Sequence, residues 1–561
     1  MRLGDQRLIP DSIKGEGHNV FYCLPLILGI IGLCWQLGKG HKGKQQFWIV
    51  FCLFFMTGLA IVLYLNQTPI QPRERDYAYA GSFYAYAIWI GLGTVGIGEL
   101  LAKVIGSKAA PVTAVLLCLL VPLQMVGQTW DDHDRSGRFT CRDFGQNYLL
   151  SLPEKGNPII FTNGDNDTFP LWYNLETEGF RTDCRVCNLS YLMTDWYIDQ
   201  MKRPAYESPA VPIEYGRIDY ETGTNDIVEI SPGDKAHLLK NAKTEAERNN
   251  VYNSFELRNV LEYWVKKYNI IPTDTIWFKL DKEAILNSGM LIPAEYTGAT
   301  REETMEKLPD RMIISLKGKE YIYKNELMML EMIAYSNWER PLFMATTVGT
   351  DNHLGLDPYF VLEGLAYRIT PFNWDELGYS NTEELEYMIN TDKMYENLMK
   401  FKFGGLDAGG LYLDETIRRL CYSHRRLYAQ LADALISKGE NEKALKILDK
   451  CCEGISPEQL HHSIMGYSQV LADCYIRLGE KEKALAIGEQ MATDYLSEMQ
   501  WYLSMDDVHL GLLNRDMRDV VKYLYNGVFP ILEQAGLDQE TSDSMMEVFK
   551  DMYMQYRNRV E

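Results

Sequence analysis

PIIFTNGDNDTFPLWY, residues 158–173, decides how the soluble part of this chain is read. Residues 158–163 are a short apolar run of strand length, and Gly164 ends it. Asp165, Asn166, Asp167 and Thr168 follow, and residues 169–173 open a helix. In an α/β sheet, ligands bind in the loops beyond the carboxyl ends of the strands. Asp165, Asn166 and Asp167 are therefore candidate site residues, able to hold a divalent cation or a sugar hydroxyl. Asp167 or Thr168 can equally cap the helix. The stretch lacks the remaining ligands and the distal Glu of an EF-hand.

The same alternation continues downstream. Residues 183–189 read as a second strand and 193–201 as a helix. Residues 325–337 read as a further helix and 341–348 (PLFMATTV) as a further strand. This pattern predicts a three-layer α/β domain, with irregular or β insertions between 205 and 320. Cys184 and Cys187 resemble half a zinc site. Side chains three apart on a strand point to opposite faces, however, and no second pair follows. The cysteines outside the apolar segments are an odd, scattered set, unlike a disulfide framework.

Upstream the composition changes. Residues 20–38, 47–65, 82–104 and 109–126 are apolar and free of charge at their centres. A bilayer core of roughly 30 Å needs about 20 such residues per helix. The expected layout is a tail at 1–18, a four-span membrane region at 19–128, an α/β domain at 129–410 and a helical domain at 411–561. Gly91, Gly93 and Gly96 spell GxGxxG inside the third span. Without a flanking strand they read as close helix packing, not as a dinucleotide loop.

Charge divides at the same place. The 561 residues carry a net charge of −21. Residues 1–128 hold ten Lys/Arg and six Asp/Glu; the remainder holds 46 and 71. An acidic soluble part excludes nucleic acid as a partner, since phosphate binding needs clustered Lys and Arg. Loops bearing Lys39, Lys42 and Lys44, and Lys103 and Lys108, lie on one side of the spans. Arg2, Arg7, Lys14, Arg73, Arg75, Arg135, Arg138 and Arg142 lie on the other. Counting them leaves the orientation open.

Two clusters flank the last two spans. In TPIQPRERDYAYAG, residues 68–81, Arg73 and Arg75 are candidates for a lipid phosphate, which suits the planar guanidinium. Their alternation with Glu74 and Asp76 also fits a self-neutralised loop. Beyond the fourth span, Asp131, Asp132, His133 and Asp134 are candidate metal ligands or acid/base groups. A charged helix start accounts for the same residues.

The final 150 residues are helical in pattern and contain a repeat: LADALISKGENEKALKIL at 431–448 recurs as LADCYIRLGEKEKALAIG at 471–488. Paired helices with small contact residues and a turn glycine are of tetratricopeptide style, here with a longer period. Such hairpins form protein-binding surfaces or cap a neighbouring domain. No Walker A loop, HExxH or GxSxG elbow occurs, and no catalytic residue or metal is assigned.

Four stretches in order carry a family resemblance: QPRERDYAYAGSFYAYAIWIGLG (71–93), DDHDRSGRFTCRDFGQNYL (131–149), IIFTNGDNDTFPLWY (159–173) and RTDCRVCNLSYLMTDWYIDQM (181–201). With the repeated tail, the chain resembles large Bacteroidetes-type multi-spanning membrane proteins of unknown function. These are related to the animal endoplasmic-reticulum transmembrane protein O-mannosyltransferase. The resemblance implies a glycosyltransferase that takes a sugar from a polyprenyl-phosphate carrier and attaches it to a Ser or Thr hydroxyl. It implies a bacterial inner-membrane protein with its soluble part in the periplasm. Membrane lipid and a protein acceptor would be its partners, and metal dependence stays unassigned. Family members begin with many more spans, where an acidic loop supplies the base. The resemblance therefore implies a carboxyl-terminal half, not catalytically complete alone. The alternative expectation is a membrane-anchored periplasmic scaffold that binds a protein partner through its helical repeat.

Overall fold

The computed structural model describes residues 4–10, 13, 19–67, 75–379 and 388–560. It divides into two compact units. One is Ile13–Gly137 with Tyr412–Thr416; the other is Arg138–Leu411 and Ile417–Glu561 with the amino-terminal segment.

In the first unit, three helices among the described residues are long and apolar enough to cross a membrane: Gly40–Leu65, Asp76–Ile105 and Ala110–His133. Trp48, Leu63, Val104 and Leu116 lie exposed along them, as lipid-facing side chains should. The first of the four expected spans forms a shorter apolar helix. That helix is only Leu24–Leu37, 14 residues, or about 21 Å of rise. Tyr22 and Cys23 adopt left-handed backbone conformations and Pro25 stands in the first turn. The apolar run therefore starts its helix four residues late.

Glycines let Leu24–Leu37 and Ala80–Ile105 approach closely. A Cβ on Gly32 would collide with the Trp89 carbonyl, and one on Gly93 with the Leu28 carbonyl. At Gly91 a Cβ would meet nothing within 4 Å. Part of the GxGxxG motif is thus a packing contact, as expected of small residues in a span. Beside it, Trp89 Nε1 donates to Gln36 Oε1 at 2.9 Å in a buried bond.

The second unit is organised by a six-stranded sheet. Its strands are β1 (Ile159–Thr162), β2 (Arg185–Asn188), β3 (Leu342–Ala345), β4 (Phe360–Leu362), β5 (Ala366–Ile369) and β6 (Met388–Ile389). Their order is β6-β4-β5-β3-β1-β2. β1 runs parallel to both β2 and β3, with Ile159 opposite Arg185 and Leu342. All four residues of β1 are buried, which is why the strand reads as a continuous apolar run. β5 is antiparallel to β3 and β4. The helices Asp195–Met201 and Lys324–Ser336 fall where the alternation predicts them. The segment between 205 and 320 holds most of two small sheets. One sets Ile227–Ile230 between Ile270–Ile271 and Tyr321–Tyr323; the other pairs Thr275–Lys279 with Arg311–Ser315.

The tail repeat folds as two hairpins of one build. Glu415–Ser437 pairs in sequence with Asn441–Gly454, and Ser468–Arg477 with Lys481–Leu503. Gly439 and Gly479 take φ of +77° and +85°, which favours glycine at a helix end. Glu440 and Glu480 then return their N–H groups to Leu435 and Tyr475, each at 2.9 Å. The first hairpin is fastened to the α/β region. Buried Asn147 donates to Lys402 O at 2.7 Å and to His424 Nε2 at 2.8 Å. Tyr428 donates to Leu398 O at 2.7 Å. Burial holds His424 down at about 4, so it is a neutral acceptor. Asp5 N–H reaches Ser504 Oγ at 2.8 Å, so the described part of the amino-terminal tail packs with these helices.

Gly93→Val should destabilise the membrane unit by about 1–3 kcal/mol through overpacking. Gly91→Ala should be neutral or slightly stabilising. Thermal unfolding of the detergent-solubilised chain checks the pair; equal effects would contradict the packing role.

Candidate functional site

β1, β2 and β3 point their carboxyl ends the same way, so three loops meet there: Asn163–Asp167, Leu189–Tyr191 and Thr346–Thr350. The helix after β1 begins at Asp165, not near 169 as the sequence suggests, and Gly164 is its N-cap. Asp167 is consequently the third helical residue and reaches back. Its Oδ1 accepts from Gly164 N–H at 3.0 Å and from the Thr168 hydroxyl at 3.3 Å. Its Oδ2 accepts from the Thr347 hydroxyl at 2.8 Å and from Asn163 N–H at 3.3 Å. This buried carboxylate joins the loop after β1 to the loop after β3. Its acceptor sites are occupied by the protein itself.

A second layer of bonds holds the loop after β2. Asn188 Nδ2 donates to Thr168 Oγ1 at 2.8 Å, and Thr168 meets the Thr162 hydroxyl at 2.7 Å. Ser190 donates to the Asn163 carbonyl at 2.9 Å. Tyr148 OH lies 3.1 Å from Thr347 Oγ1; burial pushes its phenol pKa well up, so it stays neutral. On this fixed base, Gly164, Asp165, Asn166, Ser190 and Thr347 are exposed. The rim offers a carboxylate, an amide and hydroxyls. That set can hydrogen-bond a hydroxyl-bearing ligand.

Among the described residues, no three His, Cys, Asp or Glu side chains converge to hold a metal. Cys184 and Cys187 are buried apart: one thiol lies against Asp183, the other against Met201. Burial pushes both thiols up to about 12.

The DDHD cluster needs correction. Asp131, Asp132 and His133 lie in the last turn of Ala110–His133, not at a helix start. Asp132 is buried, accepting from Asn19 Nδ2 and His133 Nδ1, each at 2.8 Å. Asp134 follows the helix and accepts from Ser136 N–H at 2.8 Å. The cluster belongs to one unit and Asp165–Asp167 to the other. Arg75 is exposed just before the short turn Asp76–Tyr79. Arg73 lies outside the described residues.

Residues 141–391 match the family described as TMEM260-associated domain 2. That segment, just under half of the chain, contains the whole carboxyl edge of the sheet. It relates the α/β region to TMEM260-type proteins. No curated protein and no solved structure matches the chain.

Among the buried charged residues in the matched segment, Glu331, Glu363 and Arg185 escape sequence reasoning. Glu331 sits in the apolar helix Lys324–Ser336 and is fully buried. Its Oε2 accepts from Glu214 and Tyr215 N–H at 2.9 and 3.2 Å, and burial pushes its carboxyl up to about 7. A lone acid within LMMLEMIA was the available signal. Glu363, also buried, accepts from Asn390 Nδ2 at 3.0 Å with Arg368 at 3.9 Å. Arg185 opens β2, where nothing in the local pattern marks it.

Asp167→Ala should cost about 2–3 kcal/mol, because it strips several partners of their acceptor. Asp165→Ala should stay within about 1 kcal/mol. Chemical denaturation of both variants measures this. Equal losses would contradict the division between pin and rim.

Proposed function

We propose that this chain serves a membrane glycosyltransferase system of the lipid-linked-sugar-dependent protein O-mannosyltransferase-like type. The observation that carries the reading is the match of residues 141–391 to TMEM260-associated domain 2, with the exposed polar rim inside it. In this reading the α/β region stands on the periplasmic side of a bacterial inner membrane. The short helix Leu24–Leu37 joins the three longer ones as a four-span anchor.

The roles follow from the chemistry of the groups. Asp165 and Asn166 bind hydroxyls of the protein acceptor or of the sugar. Arg73 and Arg75 hold the carrier phosphate at the membrane surface, where a guanidinium makes charge-assisted bonds. No residue here is assigned as the base, because the resemblance implies a base in an acidic loop among the spans, a different region from the rim. The tetratricopeptide-like tail caps the α/β region.

The test uses the producing cell. The chromosomal copy is replaced by an Asp165→Asn, Asn166→Ala double variant or by Arg75→Ala. O-linked glycans on exported proteins are then quantified by mass spectrometry. Each variant is expected to lower glycan occupancy at least about tenfold, a loss of roughly 1.4 kcal/mol in transition-state binding. Unchanged glycans with normal protein levels would sink the proposal and leave the scaffold reading, which needs no transfer.

A further inference from the structure

Arg185 lies on the edge strand of the main sheet and is 5% exposed. Its Nη2 donates to the Gln200 and Arg203 carbonyls at 2.8 and 3.0 Å. Among the described residues, Nε and Nη1 meet no acceptor. No carboxylate pairs with the guanidinium among them either. A buried charge answered only by neutral carbonyls is costly, and the orphaned N–H groups add to that cost.

Those groups belong to a side chain lining a cavity of about 390 Å³ between the helices Asp165–Glu176 and Asp195–Met201. That volume falls within the range of roughly 300–1,000 Å³ usual for small-molecule sites. Trp172, Tyr197 and Tyr206 supply aromatic walls. The lining carboxylate, Glu176, already accepts from the Tyr206 hydroxyl. A second buried guanidinium, Arg340, adds positive charge nearby. It donates to the Asn157 and Ala210 carbonyls, each at 2.8 Å. Burial, with the Arg185 charge against it, holds Arg340 down at about 10. The region therefore has unanswered positive charge beside an aromatic-walled space.

We propose that this cavity binds a small ring compound bearing an oxyanion, phosphate or carboxylate. The oxyanion pairs with the Arg185 guanidinium, and the ring lies against Trp172. Guanidinium donors make strong charge-assisted bonds to both oxyanions, and aromatic walls suit a flat or ring-shaped body. The site is separate from the carboxyl-edge rim and does not depend on the transfer reaction.

Phenyl phosphate and benzoate, titrated into the full chain in detergent with tryptophan fluorescence as the readout, test this. Benzyl alcohol is the neutral control. At least one anion is expected to saturate, at least about tenfold more tightly than the alcohol. Which anion does so distinguishes phosphate from carboxylate. Arg185→Gln should abolish the preference. Tyr206→Glu, at an exposed position on the cavity wall, should weaken anion binding about tenfold without unfolding the chain. The second variant decides the matter if the first fails to fold. Failure of both anions to saturate, equal affinity for the alcohol, or unchanged affinity in the folded variants would overturn the proposal.

Discussion

The Asp167 carboxylate is the constraint on which the candidate site depends. It closes the first turn of the helix after β1 through Gly164 N–H. It also ties that turn to the loop after β3 through Thr347. Parallel strands are not joined by tight turns, so the loops beyond their ends come from separate parts of the chain and need a tie of their own. Here a buried acceptor does so, and the rim residues Asp165 and Asn166 inherit a fixed position from it. Pinned by the protein itself, Asp167 positions the groups that remain exposed.

The same division between holding and presenting appears elsewhere. In the membrane unit, Gly32 and Gly93 bring two backbones together while Gly91 faces open space. In the tail, the first hairpin is fastened to the α/β region through Asn147, His424 and Tyr428. That fastening fits a capping role, and the second copy of the repeat extends the same build. Arg185 is the exception: its position is fixed by two carbonyls, yet part of its donor capacity is unanswered within the protein.

Much of the architecture was legible because it follows from periodicity. β1, β3 and the helix at 324–336 arise from apolar stretches of the right length, and β2 and the helix at 195–201 continue the strand–helix alternation. The repeat at 431–448 and 471–488 marked both hairpins through Gly439 and Gly479. Readings failed where one backbone position overrides the local pattern. The left-handed Tyr22–Cys23 step shortens the first apolar helix, and Gly164 caps the helix four residues earlier than the apolar pattern implies. The DDHD cluster was misplaced because acidic residues suit a helix start, whereas Asp132 finds its partners in Asn19 and His133. Arg185 was invisible because its burial comes from distant segments. No local spacing encodes that.

Hydrogen–deuterium exchange on the full chain in nanodiscs, with and without a polyprenyl-phosphate-mannose donor and a Ser/Thr-rich acceptor peptide, addresses the central claim most directly. The account predicts added protection in peptides covering residues 163–168 and 346–350, lost in the Asp165→Asn, Asn166→Ala variant. Protection confined to residues 417–560, with the carboxyl edge of the sheet unchanged, would contradict it.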